Sequence, residues 1–543
     1  MTKLSYDHGS CVTPLLGETI SERLKKTVEL FGDREALIVP HQEYKATYSE
    51  FWQQIEEVAK GLLAFGVQKG DRVGIWSPNR FEWVIVQFAT ARIGAILVNV
   101  NPAYKAAELK YALRQSEISL LIMSKGFRKT NYLEIISEVR QSCIHLKQIV
   151  VIDRDWQALI EAGKRITNGQ LEKLENSLQF DDPINIQYTS GTTGFPKGAT
   201  LTHNNILNNG FFIGERLQYS EKDKVCIPVP FYHCFGMVLG NLACITHGSC
   251  MVIPGEFFEP ETVLRTVQEE KCTSLYGVPL MFIAELEHPN FGNYNMSSLR
   301  TGIMAGASCP EKAMREVQEK MNMKEVAICY GMTETSPVST QTFVNDKLVK
   351  RVSTVGKVHP HLEIKIIDPE TGRIVPRGQA GEFCTRGYSV MLKYWNNQEA
   401  TQSVIDDAGW MHTGDLASMD EEGYVTITGR IKDMIIRGGE NISPFEIEEF
   451  LHTHDAISEV YVIGVPDYKY GEVVMTWIKF KEGKSATEEE LREYCTGQIA
   501  TYKIPKYWKF TDEFPTTVTG KIRKVEMREI STKELGLKGR KKS

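Results

Sequence analysis

The chain carries no surplus of positive charge. Its 63 lysines and arginines are outnumbered by 69 aspartates and glutamates, giving a net charge of −6. A balance of this kind exerts no general pull on nucleic acid or an anionic membrane. The one basic cluster, Lys538, Arg540, Lys541 and Lys542, reads as a solvated tail. No apolar run reaches the roughly 18 residues a membrane-spanning helix needs. The nearest, Val84 to Val100, is broken by Gln87 and Arg92, so no transmembrane segment is expected. The start, with Asp7 and His8, has neither the apolar core of a signal peptide nor the arginine-rich character of a transit peptide. The end, Arg540-Lys-Lys-Ser543, is not the Ser-Lys-Leu peroxisomal address. The 11 cysteines form no Cys-x-x-Cys pair. They are expected to be small core residues in a reducing compartment, not a disulfide framework or a zinc site, which points to the cytoplasm. No internal repeat or low-complexity tract is present.

What is there is a long, ordinary globular composition. The 543 residues are 42% hydrophobic and 24% charged, enough for three or four structural units of about 150 residues. Through the first 150 residues helix and strand signals alternate. Thr19-Ile-Ser-Glu22 fits a capping box, and Ile20, Leu24, Val28 and Phe31 follow at helical spacing up to Gly32. A second helix is expected after Ser49, with Phe51, Ile55, Val58 and Leu62 on one face. Arg72 to Trp76 and Ala95 to Val100 read as strands, with a helix from Arg80 to Ile93 between them. The alternation predicts an α/β fold with parallel sheets covered by helices, and it returns from about Leu201 to Tyr330. Residues 352–429, rich in glycine, proline and β-branched side chains, predict a small antiparallel β unit. From 430 onward helix and strand patterns mix in about 110 residues, enough for a small α+β domain. The expected organisation is a large N-terminal domain, 1–429, made of two α/β subdomains and the β unit, followed by a mobile C-terminal domain, 430–543.

The most specific segment is Thr189-Ser-Gly-Thr-Thr-Gly-Phe-Pro-Lys-Gly-Ala-Thr200. Glycines let backbone N–H groups approach an anion, hydroxyls add donors, and Lys197 adds charge. The residues before it, Ile184 to Tyr188, read as a strand, so the loop is expected to leave a sheet edge, where α/β proteins bind ligands. It is not a Walker loop, because Lys197 precedes Gly198 rather than a Ser or Thr.

This string resembles the phosphate-binding signature of the adenylate-forming superfamily. The resemblance extends along nearly the whole chain. Tyr330-Gly-Met-Thr-Glu334 resembles the nucleotide motif and His412-Thr-Gly-Asp415 the ribose motif. Gly429-Arg-Ile-Lys-Asp433 resembles the domain hinge, Arg437-Gly-Gly-Glu-Asn441 the loop after it, and Thr519-Gly-Lys521 the C-terminal lysine motif. Asn101-Pro-Ala-Tyr104 and Tyr232-His-Cys-Phe-Gly236 resemble the fatty acyl-CoA synthetase branch, and within it the medium-chain group called acyl-CoA synthetase family member two.

The resemblance implies a reaction in which a medium- or long-chain fatty acid attacks the α-phosphate of ATP, releasing pyrophosphate, and the acyl group of the acyl-adenylate then passes to coenzyme A, releasing AMP. Such chemistry brings two anions together, so cations and donors must gather at the phosphates. By resemblance, Thr189, Ser190, Gly191, Thr192, Thr193, Gly194 and Lys197 hold the phosphates, Thr333 meets the α-phosphate, and Glu334 holds Mg²⁺. Gly306, Ala307 and Ser308 wall the adenine pocket, with Gly331 beside it and Tyr330 as a stacking face. Asp415 takes the ribose hydroxyls, and Arg430 is implied as a second contact, to the ribose or a phosphate. Lys521 is the mobile catalytic lysine, Lys432 the hinge, and Gly438, Gly439 and Glu440 line the pantetheine tunnel.

For the acyl pocket the sequence offers an uncharged, glycine-bearing stretch, Phe235 to Cys244, and a similar one, Leu275 to Ala284. His233, Phe235 and Gly236 are the candidates at its mouth. The aspartate that amino-acid-activating relatives carry in this region is replaced by Tyr-His-Cys-Phe, which argues against an α-amino acid. His203 is expected to be structural. An aryl-CoA ligase of the coumarate type, a luciferase-like oxidase and a carrier-loading or acyl-adenylate-binding protein are the competing readings. The expected partners are small molecules: fatty acid, ATP and coenzyme A.

Overall fold

The computed structural model describes residues 3–189, 196–307, 309–438, 440–516 and 522–537. The chain divides into two compact units.

The larger comprises Asp7–Ile364 and Thr385–Met411. It is built on two sheets. The first has seven strands in the order Lys393–Tyr394, Lys197–Thr202, Pro183–Thr189, Ile96–Asn99, Arg72–Trp76, Leu120–Met123, Gln148–Val151. The last five of these run parallel to one another. The second has nine strands, with the parallel run Cys250–Val252, Lys224–Cys226, Ser274–Gly277, Thr301–Met304, Glu325–Gly331 at its centre. The side-chain alternation explains the run-on apolar strands. Leu97, Leu120 and Ile122 of the first sheet and Leu37, Val225, Tyr276 and Ile303 of the second share one core. Their alternate neighbours Ile96, Val98, Leu121 and Met123 face a second core, and Cys226, Leu275, Met304 and Val326 a third. Helix Phe81–Ile93 is buried on every side, the burial an all-round apolar helix requires. The longest apolar stretch of the sequence is therefore this core helix followed by strand Ile96–Asn99. Among the described residues no helix is long and apolar enough to cross a membrane.

Local signals shape these elements. Thr19 and Glu22 close the expected capping box at the start of helix Ile20–Phe31. The second helix starts earlier than expected, at Tyr48, because Thr47 and Glu50 form the capping box there, not Ser49. Residues Phe235–Leu242 form a π-helix, followed by α-helix Ala243–His247.

The other unit comprises Met1–Tyr6, Lys365–Cys384 and His412–Ser543, so it reaches back before residue 430. Strands Met411–Met419 and Val425–Arg430 pair antiparallel within a five-stranded sheet in which Gly381–Gly387 is the other neighbour of Met411–Met419. The C-terminal portion pairs Ile457–Asp467 with Gly471–Phe480 as a long antiparallel hairpin. Val460, Val462, Val474 and Ile478 face one small core, and Ile463, Val465, Val473 and Met475 another. Helices Pro444–His452, Glu488–Cys495 and Lys524–Glu534 complete this α+β portion. None of the 11 cysteines is in a disulfide, and nine of them are buried.

Candidate active site

Thr189 ends strand Pro183–Thr189 and Lys197 begins strand Lys197–Thr202, and the two residues are opposite partners in the antiparallel ladder. The two residues thus stand side by side at one end of the antiparallel pair. Pro183–Thr189 is the third strand from one side of its sheet, so Thr189 stands at the carboxyl end of an inner strand. Ser190, Gly191, Thr192, Thr193 and Gly194 themselves lie outside the described residues.

The nucleotide motif follows strand Glu325–Gly331 at the carboxyl end of the second sheet. A side chain at Gly331 would place its Cβ 1.7 Å from the Pro337 carbonyl oxygen, so only glycine lets the chain turn there. The short 3-10 turn Thr333–Thr335 comes next, with Thr333 and Glu334 buried. Just past the adjacent strand, Thr301–Met304, Gly306 takes a φ of +89°, which favours glycine. Ala307 follows it, and Ser308 lies outside the described residues. Tyr330 is half-buried at the end of its strand.

Glu334 joins the two sheets' loops. Its Oε1 accepts a hydrogen bond from the Thr189 hydroxyl at 3.1 Å and another from the Tyr394 hydroxyl at 2.8 Å. The glutamate is 5% exposed and Tyr394 4%. The Lys197 ammonium sits 5.0 Å from the centre of the Tyr394 ring, within cation–π range. Burial, with the Glu334 carboxylate beside it, holds the Tyr394 phenol well above the ordinary tyrosine range. It remains a donor. The carboxylate offers hard oxygen atoms, the ligand type Mg²⁺ takes alongside phosphate oxygens. Tyr394 was not legible as a site residue, because it arrives on a two-residue strand that pairs with Lys197–Thr202, some two hundred residues along the chain.

Beneath this group lies a buried polar layer. The Cys234 thiol donates to Gln187 Oε1 at 2.9 Å, and burial pushes that thiol up to about 12. Gln187 and Asn99 each donate to the Met237 sulfur at 3.1 Å. His233 Nδ1 accepts the backbone N–H of Phe235 at 3.2 Å, so the imidazole caps the π-helix. Phe235 stacks on Tyr276 at 5.7 Å. A Cβ at Gly236 would lie 2.6 Å from the Pro230 carbonyl oxygen, which makes glycine necessary. His203 is fully buried, its Nδ1 accepts the Ile20 N–H at 3.2 Å, and burial lowers its pKa to about 3. It is neutral and structural, as expected.

In the other unit, Asp415 and Arg430 are cross-strand partners, and Arg430 Nε donates to Asp415 Oδ1 at 3.0 Å. Arg430 is 67% exposed, so the pair contributes at most about 1 kcal/mol and is readily exchanged. Lys432 is exposed on the 3-10 turn Ile431–Asp433. Arg437 and Glu440 are opposite partners in a hairpin whose first turn residue, Gly438, has φ +62°; Gly439 lies outside the described residues. So does Lys521, although Thr516 and Ile522 on either side of its loop are bridged antiparallel.

The pattern of the AMP-binding enzyme family matches residues 24–395, and that of the AMP-binding enzyme C-terminal domain matches residues 446–521. The chain is 49% identical over 535 residues to a Bacillus subtilis (strain 168) protein named "Putative acyl-CoA synthetase YngI", covering 95% of this chain and 97% of that protein. It is 44% identical to the mitochondrial medium-chain acyl-CoA ligase ACSF2 of Danio rerio, covering 98% and 91%. The fold is similar to the anthranilate CoA ligase AuaEII in complex with anthranoyl-AMP, with a TM-score of 0.84, 26% identity and coverage of 97% and 99%. It is also similar to ATP-bound MatB from Rhodopseudomonas palustris, with a TM-score of 0.82, 28% identity and coverage of 95% and 100%. With two successive family patterns matched in order and a relative nearly half identical from end to end, the chain belongs to the AMP-binding enzyme family.

Proposed function

We propose that this protein is an AMP-forming acyl-CoA synthetase acting on medium-chain fatty acids. The observation that carries the reading is the buried Glu334 carboxylate, held by Thr189 and Tyr394 with the Lys197 ammonium close by. It lies at the carboxyl ends of two parallel-stranded sheets, where such folds bind nucleotides.

In the first half-reaction a fatty acid carboxylate oxygen bonds to the α-phosphorus of ATP, and the bond to the bridging oxygen breaks to release pyrophosphate. Thr189, the loop Ser190–Gly194 and Lys197 hold the phosphates. Thr333 meets the α-phosphate, and Lys521 bridges carboxylate and phosphate. Glu334 would hold Mg²⁺, which would supply charge neutralisation at the phosphates. Tyr330 and Gly331 stack and admit the adenine against Gly306, Ala307 and Ser308. Asp415 and Arg430 exchange their mutual contact for the ribose.

In the second half-reaction the coenzyme A sulfur bonds to the acyl carbon, the thiol proton is lost, and AMP leaves. Gly438, Gly439 and Glu440 line the pantetheine path, and the C-terminal domain pivots near Lys432, at the 429/430 boundary. The acyl chain lies along the π-helix Phe235–Leu242, wholly buried and without charge, with His233 and Gly236 at its entrance. The names of the ACSF2 relatives, which are medium-chain ligases, support the chain length. Eleven cysteines with no disulfide among them suit a reducing compartment, and we place the protein in the cytoplasm. Cell fractionation tests this, since those relatives are named mitochondrial.

The test of function is acid-dependent pyrophosphate release measured over acids of two to eighteen carbons, with and without coenzyme A. Stoichiometric acyl-CoA, AMP and pyrophosphate, with a maximum at medium length, is expected. A maximum with an aryl acid or an amino acid overturns the substrate assignment.

A further inference from the structure

We propose that Glu382, Cys384 and His412 form a site for a divalent cation of the zinc class. The absence of Cys-x-x-Cys pairs says nothing against it, because the donors come from two strands rather than one loop. Glu382 and Cys384 are two apart on strand Gly381–Gly387, so the pleat turns both side chains to one face. His412 stands on the neighbouring strand, Met411–Met419. Its Nδ1 lies 3.0 Å from Glu382 Oε2 and 3.6 Å from Cys384 Sγ. All three donor atoms lie within 4.8 Å of one another.

The two separations from His412 Nδ1 are near those of a tetrahedral zinc centre. With metal bonds of about 2.3 Å to sulfur and about 2.0–2.1 Å to nitrogen and oxygen, adjacent nitrogen and sulfur ligands stand about 3.6 Å apart, and nitrogen and oxygen about 3.3 Å. The nitrogen–sulfur edge is already met. The nitrogen–oxygen edge opens by a few tenths of an ångström when the contact between Nδ1 and Glu382 gives way to the metal, and the oxygen–sulfur edge, within 4.8 Å, settles towards about 3.6 Å. Binding displaces the thiol proton and leaves the ring proton on Nε2, so the site takes up metal as it releases protons. A thiolate, an imidazole and a carboxylate together favour Zn²⁺ or Co²⁺ over Mg²⁺ or Ca²⁺.

The surroundings hold the donors in place. Glu382 uses its other oxygen, Oε1, to accept the Gly414 N–H at 3.1 Å, a contact that survives when Oε2 takes the metal. The Thr413 hydroxyl donates to the Phe383 carbonyl at 2.7 Å, which ties the two strands at this level. Such outer contacts fix the orientation of ligands. Cys384 is fully buried, whereas the side chains of Glu382 and His412 are 13% and 32% exposed. A cation can therefore arrive from solvent and keep a fourth position for water.

Chelator-treated protein titrated with Co²⁺ tests the proposal. One equivalent is expected to bind with the visible bands of a tetrahedral centre and a near-ultraviolet thiolate-to-cobalt band, all displaced by Zn²⁺. Cys384→Ser, checked for folding by circular dichroism, should lose the thiolate band and at least about tenfold in Zn²⁺ affinity. Glu382→Gln keeps an acceptor for Gly414 and should retain the band while binding more weakly. Failure of the wild-type protein to take up one equivalent overturns the proposal, as does a thiolate band that persists in Cys384→Ser. Should Cys384→Ser not fold, unchanged affinity in Glu382→Gln overturns it equally.

Discussion

Tyr394 donates its phenolic hydrogen to Glu334 Oε1 across 2.8 Å, joining a two-residue edge strand to the glutamate of the nucleotide motif. A hydrogen bond to a buried charged group contributes about 1.5–3 kcal/mol. Tyr394→Phe removes that bond but keeps the ring beneath Lys197. It should lower kcat for pyrophosphate release by about ten- to a hundredfold, with the fatty acid KM nearly unchanged. Tyr394→Ala, which removes the ring as well, should lose more. Equal activity of Tyr394→Phe and wild type contradicts the role.

The Lys197 ammonium stands 5.0 Å from the Tyr394 ring, and the proposed function gives it the phosphates to hold. Lys197→Ala should cost on the order of 10²-fold in adenylation rate while leaving thermal unfolding almost where it was. Steady-state kinetics against ATP checks this, and unchanged kcat and KM remove Lys197 from the site.

The legible part of this protein is the part written in local patterns. The Thr19 capping box, the strand Arg72–Trp76 and the helix Pro444–His452 are readable because their signals are contiguous. Thr47 and Ser49 both precede the same apolar face, and only the reciprocal bond with Glu50 decides between them. The π-helix has the composition of any buried helix; its register is set by packing, which no local pattern records. Glu334 and Thr189 are readable from their motifs, but Tyr394 is not, since its place depends on pairing with a distant strand. The same holds for Cys384 and His412.

Acid should expose the burial of His203. Its pKa is lowered to about 3 from 6.5, so between those values the unfolded chain binds a proton that the folded chain does not. Stability contributed by the neutral ring is complete above pH 6.5 and is lost as the pH falls towards 3. His203→Gln, measured by denaturant unfolding between pH 6 and 4, should reduce the slope of unfolding free energy by up to about 1.4 kcal/mol per pH unit. A slope equal to wild type contradicts this.

The acyl pocket assignment predicts a chain-length series. Because the segment Phe235–Leu242 is buried and uncharged, each added methylene should raise kcat/KM by up to about 0.8 kcal/mol until the pocket ends. Acetate and amino acids should be poor substrates, and a series that is flat from two to ten carbons places the chain elsewhere.

Division of labour within the C-terminal region is tested by separating the half-reactions. Lys521→Ala should block acyl-adenylate formation yet still make acyl-CoA from synthetic acyl-adenylate. Gly439→Leu should do the reverse, by crowding the pantetheine path. Lys432→Pro, which fixes φ at the pivot, should spare at most one half-reaction. Loss of both half-reactions in folded Lys521→Ala contradicts the two-step arrangement.

The central claim is that this chain makes an acyl-adenylate and then transfers it. The most direct measurement is a single-turnover reaction of the enzyme with ATP and octanoate but no coenzyme A, quenched and analysed by mass spectrometry, then chased with coenzyme A. The account predicts one octanoyl-AMP per active site with equimolar pyrophosphate, converted on the chase to octanoyl-CoA and AMP. Formation of ADP and phosphate, or of octanoyl-CoA with no prior octanoyl-AMP, would contradict it.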